Sequence, residues 1–138
     1  MKTTWNSLLI TATGLALSAA AAYGQTTLTA NVPFSFRTAS GAQPAGEYRI
    51  APITYDGSVA KLVNMDTRHA AMTGIGSPNG NPSDKTPQLV FRCGSESGCA
   101  LVGVKMGDGR AWKYNAPKLK ASESERIAVV YFESKLAE

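Results

Sequence analysis

The stretch NVPFSFRTASGAQPAGEYRI, residues 31–50, carries the clearest fold signal in the chain. It reads as a strand, a turn and a second strand. Over residues 26–37, Leu28, Ala30, Val32, Phe34 and Phe36 share one parity. Thr27, Thr29, Asn31, Pro33, Ser35 and Arg37 share the other. Successive strand side chains point to opposite faces, so one face is apolar and one polar. Pro33 lies on the polar parity and has no N–H for a ladder bond, which predicts an edge strand or a bulge. In the turn TASGAQPAG, residues 38–46, Pro44 presets its own φ and Gly46 takes positive φ without steric cost. Tyr48 and Ile50 of EYRIAPI, residues 47–53, then continue the inward parity. The unusual residues here all serve backbone geometry, and none is a nucleophile, acid or metal ligand at a useful spacing. The stretch therefore predicts the hinge of a hairpin rather than a binding loop.

Further along, YDGS (55–58) signals a hairpin, because Asp-Gly suits a tight turn between antiparallel strands. VAKLVNM (59–65) is the returning strand and HAAMTGI (69–75) a weaker one. GSPNGNPSDKTP (76–87) has no apolar periodicity and reads as a long exposed loop. QLVFRC (88–93) and CALVGVKM (99–106) are strands around GSESG (94–98), and GDG (107–109) turns the chain into RAWKYN (110–115). APKLKASESE (116–125) is polar and reads as a short helical turn. RIAVVYFES (126–134) is the last strand; both of its parities are apolar or aromatic, which suits burial. The sum is an all-β domain of about eight short strands, an antiparallel sandwich or small barrel.

The N-terminal residues form a separate object. MKTTWNSLLITATGLALSAAAAYGQ places Lys2 before an apolar run from Leu8 to Ala22, closing in small residues ahead of Gln25. That three-part pattern predicts a signal peptide over 1–24, with a cut before Gln25 or after Ala22. The run is too short and too rich in hydroxyls for an uncleaved anchor. The remaining Gln25–Glu138 is one domain. IAVVYF (127–132) is its longest apolar run, far too short to cross lipid as a helix, so no transmembrane segment is expected after cleavage. The formal charge of +4 drops by one when Lys2 leaves. With PKLK (117–120) as its densest basic spot, the chain shows no nucleic-acid patch.

Cys93 and Cys99 are the two cysteines. They flank a glycine- and serine-rich loop at the facing ends of two predicted strands, and an exported chain meets oxidising conditions, so an intramolecular disulfide is expected. Their spacing is not that of a Cys-x-x-Cys redox pair, and one histidine leaves too few ligands for zinc. His69 follows Asp66 in NMDTRHA, but no G-x-S-x-G elbow supports a serine triad. Glu123 and Glu125 would share a face if extended, as a glycosidase pair must flank its bond, yet solvated carboxylates do the same. NGNPSD (79–84) departs from calcium-loop spacing. Trp112 and Tyr114 share parity beside Arg110 and Lys113, a candidate ligand face if exposed and a packing pair if not. No catalytic residue, metal site or cofactor is expected.

NVPFSF, PAGEYRI, QLVFRC and ASESERIA occur in the same order as the motifs of an uncharacterised family of small exported bacterial β-proteins, which the chain resembles. The family pattern runs V-P-F-x-F, L-P-A-G-x-Y, a later L-V-F strand and a C-terminal S-x-x-E segment. Gln43 stands where that family tends to have leucine, and the Cys93/Cys99 pair is not a general feature of it. The resemblance implies an exported β-domain and no catalytic residues. The expectation is a secreted or periplasmic, non-enzymatic domain with a structural or binding role at the cell envelope. Loops 76–87 and 94–98 would be presented to an envelope protein or polysaccharide. The alternatives are a small hydrolase of envelope polysaccharide or peptide, and a carrier of a small apolar ligand if the strands enclose a hollow.

Overall fold

The computed structural model describes residues 26–80 and 86–136. The signal-peptide region 1–24 and part of loop 76–87 lie outside the described residues. Two compact units are distinguished, Leu28–Glu133 and a terminal unit of Met1–Thr27 with Ser134–Glu138. Of the terminal unit, Thr26, Thr27 and Ser134–Leu136 are described, as strand ends.

The alternating run at 26–37 is two strands: β1, Thr26–Val32, and β2, Phe36–Thr38. They break at Pro33, which cannot continue a ladder. β1 belongs to one sheet and β2 to the other. Parity is kept across the break because both sheets face the same interior. Ala30, Val32 and Phe36 are buried, and Leu28 and Phe34 pack against them.

The remaining strands are β3 (Gly41–Gln43), β4 (Gly46–Pro52), β5 (Ala60–Asn64), β6 (Ala70–Met72), β7 (Ser77–Pro78), β8 (Gln88–Gly94), β9 (Gly98–Lys105), β10 (Ala111–Lys113), β11 (Glu125–Tyr131) and β12 (Glu133–Leu136). One sheet has the order β12-β1-β4-β5-β6. The other runs β11-β8-β9-β10-β7, with β2 paired to β9 and β3 to β2. Neither closes on itself, so the fold is a β-sandwich and not a barrel. The pairs whose register is described are antiparallel except β2 with β9, which is parallel and makes that sheet mixed. The strands beyond the expected number are mostly two or three residues long, too short for a period to show in sequence.

PAGEY is the hinge. The Tyr48 ring is fully buried, and its hydroxyl donates to the Pro44 carbonyl at 2.5 Å. A tyrosine bonded to backbone a few residues upstream is the corner device of immunoglobulin-like sandwiches. Gly46 lies between the two at φ 153°, where a Cβ would stand 3.1 Å from Asn64 Nδ2. Buried Asn64 in turn accepts from the Asp66 and Thr67 N–H groups at 2.9 and 3.0 Å, shaping the β5–β6 turn.

The core closes around aromatic rings drawn from three of the sequence motifs. Phe34 and Phe36 both meet Phe91 edge-on, with centroids 5.0 and 5.2 Å apart, and Phe36 meets Tyr48 at 5.2 Å. Such T-shaped pairs add about 0.5–1.5 kcal/mol each beyond area burial.

Two expectations are corrected. β11 is not buried on both faces: among the described residues it pairs only with β8, at the edge of its sheet. Ala128 and Val130 face inward, while Ile127, Val129 and Tyr131 stand exposed beside Arg92, Val90 and Gln88 on the outer face. The segment 116–124 is not helical. It makes a single tight turn in which Glu123 N–H bonds Lys120 O, and the Glu123 carboxylate gathers the surrounding N–H groups around itself.

Candidate functional site: a cavity where a strand changes partners

β9 holds β8 along one edge and divides the other edge between two strands. Gly103–Lys105 pair with β10, and Cys99–Ala100 pair with β2. The change falls at a bulge, where Val90 faces Gly103 and Phe91 faces Leu101, leaving Val102 unmatched. Tyr114 N–H bonds the Val102 carbonyl at 2.9 Å. Beyond it the chain leaves the sheet as an irregular strap, and β2 has not yet begun to pair. Bulges commonly end pairing and re-aim side chains in this way. The resulting gap is a cavity of about 540 Å³, walled by the strap, the β2–β3 hairpin, Leu101 and the Thr73–Ile75 segment that leaves β6. Small-molecule sites span roughly 300–1,000 Å³.

Its wall is mostly apolar or small: Ala39, Ala42, Ile75, Leu101, Ala116 and Pro117 contribute. Its polar members are Arg37, Thr38, Thr73, Asn115 and Tyr114; Tyr114 is 5% exposed, and its enclosed hydroxyl makes no well-formed hydrogen bond, with the Thr73 hydroxyl as its polar neighbour. Thr73, on the same wall, already accepts from Ala60 N–H at 2.9 Å and donates to Gly74 O at 3.0 Å. Burial pushes the Tyr114 pKa up, offset in part by the Thr73 hydroxyl, so the group is a neutral O–H donor at ordinary pH. Gly76 fixes the ring: a Cβ there would lie 2.8 Å from Tyr114 Cε1 and 2.9 Å from Trp112 Cβ. Exposed Arg37 stands at the edge of the cavity. The lining holds no His, Cys, Asp or Glu. Chemically it can take an apolar body against Ile75, Leu101 and Pro117, with Arg37, Thr38 and Asn115 as polar groups on its wall.

Cys93 and Cys99 form the expected disulfide, as a directly opposed β8–β9 pair with Cα atoms 3.9 Å apart. Trp112 and Tyr114 do not form an exposed ligand face. Tyr114 is in the core and Trp112 is half-buried against it, because their shared parity points inward. His69 and Asp66 lie exposed in the β5–β6 turn. Glu123 and Glu125 are not brought together as a working pair. Glu125 opens β11 opposite Gly94, whereas Glu123 accepts from Ser97 N–H and Oγ at 3.0 and 2.6 Å and from Lys120 N–H at 2.8 Å. These donors hold its pKa down at about 2. The contact requires Gly94, where a Cβ would fall 1.8 Å from Glu123 Oε1. Glu123 thus clamps the disulfide turn to the strap. Among the described residues no cluster of three His, Cys, Asp or Glu side chains could hold a metal ion, and no helix is long and apolar enough to cross a membrane.

Compared with protein-family models, curated proteins and solved structures, the chain gives no match. The cavity had no sequence signature. Four segments distant along the chain build it, and the one hint is the run of small residues on strands that elsewhere carry large ones.

Proposed function

We propose that the chain is an exported, non-enzymatic binding domain of the cell envelope, and that it holds a small, mostly apolar molecule in the cavity beside Tyr114. One observation carries the reading: a cavity of about 540 Å³, large enough for a ligand, whose wall is built from Ala39, Ala42, Ile75, Leu101, Ala116 and Pro117 around the enclosed Tyr114 ring. A buried polar group left poorly paired costs about 1–3 kcal/mol, and a small turn of the Tyr114 ring toward a bound acceptor would relieve it. The likeness to small exported β-proteins and the disulfide agree with export. A hydrolase reading has less support, since the cavity wall offers no nucleophile beside a base.

The test is fluorescence titration of the oxidised protein with the neutral probe N-phenyl-1-naphthylamine, followed by displacement with 1-decanol. Saturable one-to-one binding and full displacement are expected. Tyr114→Phe should leave the free protein as stable or up to about 1 kcal/mol more stable, and should weaken decanol binding several-fold. Absence of saturable probe binding would refute the proposal.

A further inference from the structure

Beside the cavity lies a second, smaller cleft of about 100 Å³, between the strap and the disulfide turn. Its lining shares Arg37, Ala100 and Pro117 with the cavity. Strand register explains its charge. Arg92 on β8, Ala100 on β9 and Arg37 on β2 stand directly opposite one another in one row across the sheet. The small Ala100 between two arginines leaves the space over which Pro117–Leu119 pass, and the strap adds Lys118.

Three cations therefore surround one cleft. None has an ion pair among the described residues. The neighbouring carboxylates are engaged elsewhere, Glu123 by the clamp and Glu96 by Lys120 at 3.5 Å. Arg92 donates one terminal N–H to Pro117 O, yet its Nε is buried and has no partner. A buried guanidinium N–H is ordinarily satisfied, by a carboxylate or other oxyanion above all.

We infer that the two compartments take one amphipathic anion, with its oxyanion head among Arg37, Arg92 and Lys118 and its apolar body in the cavity. The inference rests on the cavity being a binding site and adds the charge class of what binds there. The head could be a carboxylate or a phosphate, since Arg pairs with either through parallel N–H bonds. A medium-chain carboxylate is the simplest probe of that chemistry, and inorganic phosphate tests the head alone.

The experiment compares decanoate, 1-decanol and inorganic phosphate, at concentrations below micelle formation. Decanoate is expected to displace the naphthylamine probe about tenfold more tightly than decanol, in line with hydrogen bonds to charged groups. Lys118→Gln, an exposed change outside the cavity lining, should erase part of that preference and leave decanol unaffected; Arg37→Gln should erase most of it. Equal displacement by decanoate and decanol in the parent protein overturns the inference while leaving the cavity reading intact. The arginine Nε–H signals in 15N spectra report on the head without the probe. Decanoate should shift those of Arg37 and Arg92 saturably, and phosphate should do so far more weakly. No shift with decanoate overturns the inference, as does phosphate matching decanoate, which would mark a site for the free oxyanion alone.

Discussion

Tyr48→Phe tests whether PAGEY works as a hinge locked by one hydrogen bond. The substitution removes only the hydroxyl. The ring keeps its place against Phe36, since their contact is edge to face at 5.2 Å and does not involve the oxygen. Its partner, the Pro44 carbonyl, belongs to an exposed residue, so water can replace the lost donor. The cost is therefore that of a net hydrogen bond, about 1 kcal/mol, and not the larger cost of an orphaned buried group. For a domain of this size that lowers Tm by roughly 4–6 °C. Tyr48→Ala, which also empties a fully buried site, should cost about 3–5 kcal/mol. Urea unfolding followed by Trp112 fluorescence separates the two, and an unchanged m-value would show that the unfolded state is unaltered. A Tyr48→Phe protein as stable as the parent would mean that the hydroxyl does not lock the corner. A loss as large as that of Tyr48→Ala would mean that the ring itself depends on it.

Replacing Cys93 and Cys99 together by serine should cost roughly 2 kcal/mol on the chain-entropy account of a short loop; equal urea midpoints for oxidised and reduced protein would contradict this. Glu123 has a folded pKa of about 2, below its ordinary 4.5. Its contribution is therefore fully present above pH 4.5 and is lost as pH falls toward 2, and the lowered Asp56 and Asp108 act in the same direction. Glu123→Gln should flatten the stability profile across that window, as read by urea midpoints from about pH 6 down to about pH 2; an unchanged slope would refute the clamp.

Residue parity served well where a strand has one wet face. Leu28 through Phe36 and Tyr48 with Ile50 are buried or half-buried as their alternation requires. The same rule concealed the break at Pro33, because a chain that passes from one sheet to the other around a common core keeps its inward parity. It misjudged β11 for a different reason. Apolar residues at both parities look like full burial, but Ile127, Val129 and Tyr131 face outward on an edge strand. The disulfide was legible because the two cysteines bracket a turn. The candidate site was not, since Arg37, Thr73, Leu101 and Tyr114 meet only through the partner change of β9. The row of Arg92, Ala100 and Arg37 likewise exists only in the register of three strands.

The parallel pairing of β2 with β9 has a consequence for the protein as it is made. Phe36 leaves the ribosome long before Cys99, the residue it faces. At synthesis rates of about 5–20 residues per second, the wait lasts several seconds. Throughout it Phe34, Phe36 and Tyr48 have no Phe91 to close against. The nascent chain cannot complete its core half by half. Its core stays incomplete until the second half of the sandwich arrives.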